Sequence, residues 1–98
     1  MSTTIVNLKF PDQLEKFIGQ VRQIEMSGST VLDVIDHLDE HHGAVRDRLL
    51  EPGPGAAAAV RPYINIFLGK TNIERLDGLN TRVYPGDRVS VLLSRAGG

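Results

Sequence analysis

The sequence predicts an α+β fold, a mixed sheet with one amphipathic helix packed on one face. Short stretches that alternate apolar and polar residues lie toward both ends of the 98-residue chain. Between them runs one apolar stripe of helical period with a start signal before it and a stop after it. Clusters of Gly, Pro and Asp separate the elements at intervals too short for a second domain.

Residues 5–10 read as the first strand, with Val6, Leu8 and Phe10 alternating with Asn7 and Lys9. Pro11-Asp12 ends it. A second strand is expected from about residue 20 to residue 26, with Arg22, Ile24 and Met26 on one face and Val21, Gln23 and Glu25 on the other. Ser27-Gly28-Ser29 then breaks the chain. Thr30 followed by Asp33 forms a capping-box signature, in which each side chain satisfies an orphan backbone N–H. In the helix that follows, Val31, Val34, Ile35 and Leu38 make a single stripe, while Asp33, Asp36, Asp39 and Glu40 lie largely away from it. His41, His42 and Gly43 supply late-turn basic groups and a stop. Val45 and Leu49, four apart, suggest a further short helical turn.

Residues 51–61, EPGPGAAAAVR, form the one low-complexity stretch. They read as a flexible surface loop, because alternating Pro and Gly oppose regular structure and the alanines have no face to bury. Residues 63–68 are a strong strand, with Ile64, Ile66 and Leu68 opposed to Tyr63, Asn65 and Phe67. Asp77-Gly78 and Pro85-Gly86-Asp87 mark turns around a short Val83-Tyr84 element. The last strand, residues 88–93, sets Val89, Val91 and Leu93 against Ser90 and Leu92. Strand pairs around one helix make the β-grasp pattern, with an open sheet face that carries Asn65, Phe67, Ser90 and Leu92.

Composition agrees with one folded domain and removes several functions. The chain is 41% hydrophobic and 23% charged, near the globular average. A chain this short buries only roughly two thirds of its unfolded surface, enough for one core. With a net charge of -1 and basic residues scattered along the sequence, phosphate-driven nucleic-acid binding is not expected. No apolar run approaches the roughly 20 residues needed to cross a bilayer, and the N-terminus lacks the features of a signal peptide, so a cytoplasmic location is expected. The absence of cysteine excludes disulfides, thiolate metal sites and thiol nucleophiles.

The residues from Tyr63-Ile64-Asn65-Ile66-Phe67-Leu68 through Leu76-Asp77-Gly78-Leu79 and Pro85-Gly86-Asp87-Arg88-Val89-Ser90-Val91 to Ala96-Gly97-Gly98 resemble the ubiquitin-like sulfur carriers. That family includes the small subunits of molybdopterin synthase and the carriers of thiamine biosynthesis. Asp47-Arg48-Leu49-Leu50, a Pro/Gly loop and Arg61-Pro62-Tyr63-Ile64-Asn65-Ile66 are closer to the branch used in cysteine biosynthesis. Leu93-Ser94-Arg95 stands where the family often has a proline-containing segment.

The resemblance implies a β-grasp body over residues 1–94 and a flexible Gly-Gly tail over residues 95–98. It implies that a ubiquitin-activating-like enzyme uses ATP to adenylate Gly98, that a sulfur donor displaces AMP to leave a thiocarboxylate, and that an enzyme such as a cysteine synthase accepts the sulfur. Destinations in molybdopterin, thiamine or other thio-metabolite synthesis, and a role as a protein modifier joined to lysines, stay open beside it. Ala96 and Gly97 are the candidates for threading into a narrow channel; independently of the family, the two glycines, Gly97 and Gly98, minimise width and free the backbone. Entropy lost on tail capture requires docking by the body. Phe67 and Leu92 on the open face, with Arg95 beside the tail, are the candidates for that docking. Single exposed apolar residues are also normal on any surface.

No cofactor and no metal are expected, and no catalytic activity from the chain alone. His37 and His41 are four apart beside His42, but no third ligand follows at a convincing spacing, and a solvated helix end explains them. The PGPG segment lacks the lysine and following helix of a phosphate loop.

Overall fold

The computed structural model describes residues 3–94 except residues 54 and 56. β1 (Thr4–Lys9) pairs antiparallel with β2 (Gln23–Met26) and parallel with β7 (Arg88–Leu93). On its other side β7 pairs antiparallel with β5 (Ile64–Leu68), which holds the two-residue β6 (Thr71–Asn72) at the edge. The resulting order is β2-β1-β7-β5-β6, a mixed sheet with the parallel pair in its interior. This is the β-grasp arrangement.

The period-2 expectation holds along β1, β5 and β7: Val6, Leu8, Ile64, Ile66, Val89 and Val91 are buried on one face of the sheet. Against that face lies α2 (Val31–His42), whose Val31, Val34, Ile35 and Leu38 are all buried. Stripe and strand faces together make a single core with Leu49, Ile73 and Val83.

The capping box is present in full. Thr30 Oγ1 accepts from the Asp33 N–H at 3.2 Å, and Asp33 accepts from the N–H groups of Thr30 at 3.0 Å and Ser29 at 2.8 Å. Gly28 is required beside it, since an added Cβ would collide with the Asp33 side chain. The Ser29 N–H bond is the main reason the Asp33 carboxyl titrates below its ordinary value of 3.8, with partial burial opposing it and Thr30 adding to it. Because the folded pKa is depressed, Asp33 contributes stability above about pH 3.8 that is lost as pH falls through the folded value. In urea titrations, Thr30→Ala is expected to lose about 1 kcal/mol at pH 7. The gap between wild type and Asp33→Asn should close as pH is lowered below about 3.8.

Three segments differ from the sequence expectation. Residues after Pro11 form a helix, α1 (Asp12–Ile18), that buries Leu14 and Ile18. The single-helix picture therefore gains a second helix, besides the short α3 (Val45–Leu49) that the Val45/Leu49 spacing suggested. The second strand starts at Gln23, and the Arg22 side chain is exposed, although its carbonyl accepts from the Leu8 N–H at 2.8 Å. The third difference is residues 51–61, expected as a loop. Here β3 (Leu50–Pro52) and β4 (Ala58–Val60) form a two-stranded hairpin in the register Leu50 to Val60, Glu51 to Ala59 and Pro52 to Ala58. Leu50 is buried, and Ala58 and Val60 pack on the core, so tertiary contact supplies the face that the alanines lack locally. Proline is tolerated because it sits at a strand end, where a missing N–H costs no interior bond.

Candidate functional site

The tail leaves the body from the middle of the sheet. β7 is paired on both sides over Val89 and Ser90, and its last residues, Val91, Leu92 and Leu93, are held by β5 alone. The turn that feeds it places Pro85 and Gly86 at the central positions, with Gly86 at φ +90 and the Asp87 N–H bonded to the Tyr84 carbonyl at 3.0 Å, the chemistry of a type II turn. At the other end Leu93 lies opposite Ile64, and the Ser94 N–H donates to the Tyr63 carbonyl at 2.8 Å.

Side chains continue this anchoring across the open face. Asn65 Nδ2 donates to Ser94 Oγ, and Asn72 Nδ2 donates to Asn65 Oδ1 at 3.4 Å. A hydrogen-bonded line therefore runs from the sheet edge at β6 through β5 to the residue that precedes the tail. The sequence did not mark Asn72 or Ser94 for this role, because the line exists only once the strand register is set. Arg95, Ala96, Gly97 and Gly98 lie outside the described residues.

The open face has the expected composition. Asn65 is opposite Leu92 and Phe67 opposite Ser90, with all four pointing away from the buried set Ile64, Ile66, Val89 and Val91. Leu92 is 41% exposed and Phe67 is half-buried. The two are diagonal neighbours, about 7–8 Å apart across an antiparallel pair. They form a small apolar centre beside the tail exit.

The histidines on α2 sit together, with the His37 and His41 ring centroids 4.3 Å apart. Partial burial holds the His37 pKa below its ordinary value, and the neighbouring His41 adds to the effect. Among the described residues, no group of three or more His, Asp or Glu is gathered to hold a metal ion. On the same side of the molecule, Arg46 pairs with Asp36, and the Arg46 N–H is capped by Asp39 Oδ1 at 3.0 Å. These contacts join α2 to α3 and serve the body. Phe17 on α1 is exposed beneath the Arg48 guanidinium, which lies 3.4 Å from the ring centroid. No helix among the described residues is long and apolar enough to cross a membrane.

Known proteins are similar to this chain in sequence and in architecture. The profile of the ThiS family matches residues 8–98. The sulfur carrier protein CysO of Mycobacterium tuberculosis is 29% identical over 94 residues, which cover 95% of this chain and 98% of that protein. Small archaeal modifier protein 3 of Haloferax volcanii is 34% identical over 70 residues, 71% of each chain. Among solved structures, the complex of BexX and CysO from Amycolatopsis orientalis contains a chain that superposes with a TM-score of 0.79 at 27% identity, covering 95% of this chain and 99% of that one.

Proposed function

The chain belongs to the ThiS family, the ubiquitin-like sulfur carriers, and from that premise we propose that it carries sulfur as a thiocarboxylate on Gly98 for cysteine biosynthesis. The observation that carries the proposal is the extent of the family match, which runs through residue 98 and so includes Ala96-Gly97-Gly98. The similarity to CysO supports the cysteine branch.

A free carboxylate is a poor electrophile, since neither oxygen is a good leaving group. In the proposed cycle a ubiquitin-activating-like enzyme joins the Gly98 carboxylate to the AMP of ATP and releases pyrophosphate. A sulfide equivalent then attacks the acyl carbon and expels AMP, leaving a C–S bond in place of one C–O bond. The thiocarboxylate sulfur is the nucleophile that a sulfur-accepting enzyme, such as a cysteine synthase, uses next. ATP is consumed on the activating enzyme, and the carrier itself supplies no acid, base or cofactor. Its own residues present and dock: the Asn72–Asn65–Ser94 line holds the base of the tail, and Phe67 and Leu92, with Arg95, meet the partner. That a relative has been solved as a BexX/CysO complex supports docking of this body on a partner protein.

Intact mass spectrometry after co-expression with the host's activating enzyme and a sulfur source tests the proposal. One oxygen replaced by sulfur at the C-terminus is the expected result. An unmodified acid, under conditions that convert a known carrier, would overturn it. Leu92→Asp is expected to weaken capture by the activating enzyme by at least about tenfold, since burying an unpaired carboxylate in an apolar contact is costly, while leaving the unfolding temperature unchanged.

The similarity to an archaeal modifier protein favours a second role, joining activated Gly98 to lysines of other proteins. A ladder of covalent conjugates that vanishes on deleting Gly97 and Gly98 would establish it.

A further inference from the structure

The open face is not uniform along its strands. At the tail end lie Leu92 and Asn65, uncharged and opposite one another. Arg88, at the other end of β7, projects to the same side as Leu92, because side chains alternate with a period of two. Its carbonyl accepts from the Gly69 N–H at 2.8 Å, which brings the turn bearing Lys70 alongside it. Lys70, Asn72, Glu74 and Arg75 border a hollow that includes Phe67. Arg88 also lines a cleft with Lys9 and Arg22, into which α1 brings Asp12 and Glu15.

Cations and carboxylates are thus both present, but they are not paired. The one ion pair among the described residues joins Arg46 and Asp36, on the helix layer. That layer carries the acidic outer face of α2, with Asp33, Asp36, Asp39 and Glu40. Glu74 borders the hollow with Lys70 and Arg75, and Asp12 and Glu15 line the cleft with Arg88, with none of the three carboxylates in an ion pair among the described residues.

Resting on the assignment of the open face as the docking surface, we infer that its partner is a protein surface with an apolar seat for Leu92 and a separate patch of carboxylates facing Arg88, Lys70 and Arg75. Leu92 is four positions along β7 from Arg88, so the patch lies about 13 Å from that seat at a strand rise of about 3.3 Å per residue. The apolar seat holds the docked body beside the tail channel. The carboxylates select orientation and speed encounter, because rim charges act on association rate more than on final affinity. A nucleic acid fits less well: the cations are gathered to one side of an apolar centre, with Glu74 beside Lys70 and Arg75, where a phosphate backbone needs a continuous basic track.

The test uses the full-length chain and the purified activating enzyme of the same host, with association rates measured from about 50 to about 500 mM NaCl, a range over which the screening length falls several-fold. The expected result is a wild-type rate that drops steeply with salt. Arg88→Glu and Lys70→Glu should each lower the low-salt rate about tenfold, within the range seen for electrostatic steering, and flatten the salt dependence. Lys16→Glu, an exposed charge on α1, should do neither, and all three variants should unfold at the wild-type temperature. Salt-independent rates that the two face reversals leave unchanged, with Leu92→Asp still weakening capture, would overturn the acidic patch while the carrier function stands. If the wild type is neither bound nor converted by an enzyme that accepts a known carrier, the carrier function and this partner fall together. Equal binding to a random-sequence RNA would also overturn the assignment to a protein surface.

Discussion

Replacing Gly97 with valine should suppress conversion of Gly98 to the thiocarboxylate by about 10²-fold or more, the loss that follows when a reacting group is held out of place. A valine adds an isopropyl group where the proposed channel has to close around backbone, and it restricts the backbone angles that glycine leaves free. Deleting Gly97 and Gly98 together should remove conversion entirely, because the acyl group to be adenylated would then sit two residues short of the site. Both variants should unfold at the wild-type temperature, since the core is built by residues of the body between Val6 and Val91. Intact mass spectrometry and thermal unfolding on the same samples separate a failed tail from a failed fold.

Ile66→Ala is expected to have the opposite profile. Ile66 is 1% exposed, in the middle of β5, against the face that α2 covers. Truncating a buried isoleucine to alanine typically loses about 2–5 kcal/mol through lost transfer energy and the cavity left behind. That is a large share of the 5–15 kcal/mol or so that holds a domain together. Urea unfolding should show the loss directly. The adjacent Phe67 and the cross-strand Leu92 lie on the other face, where substitutions are expected to act mainly on the proposed docking. Neighbouring positions on one strand thus divide stability from recognition, because successive side chains point to opposite sides of the sheet.

Much of this is legible in the residue order. The alternation in residues 63–68 and 88–93 gave both the buried set and the open set correctly, as a strand's period of two survives whatever it pairs with. The Thr30/Asp33 capping box and the Val31, Val34, Ile35, Leu38 stripe were equally local, and each is present as read. The helix after Pro11 was missed although Leu14, Phe17 and Ile18 have helical spacing, with Asp12 and Glu15 placed in the first turn. A seven-residue helix is too short for that pattern to stand out against the turn signal of Pro11-Asp12. The β3–β4 hairpin had no such signal. Alanines carry little strand preference, and only packing of Leu50, Ala58 and Val60 on the core settles their conformation.

The candidate site divides in the same way. The sequence by itself supplied the proposal for the tail, since Gly-Gly, the absence of cysteine and the family resemblance are properties of residue order alone. It also determined that Phe67 and Leu92 share a face. What only the tertiary structure decided is where that chemistry stands relative to everything else. Arg88, Lys70 and Arg75 are far enough apart in sequence to look scattered, and strand pairing gathers them at one corner of the open face. Asn72, Asn65 and Ser94 become one line to the base of the tail because the registers of two strand pairs align them. Local periodicity fixes which side of a strand a residue occupies; only hydrogen bonding between strands fixes its neighbours there, and docking depends on neighbours.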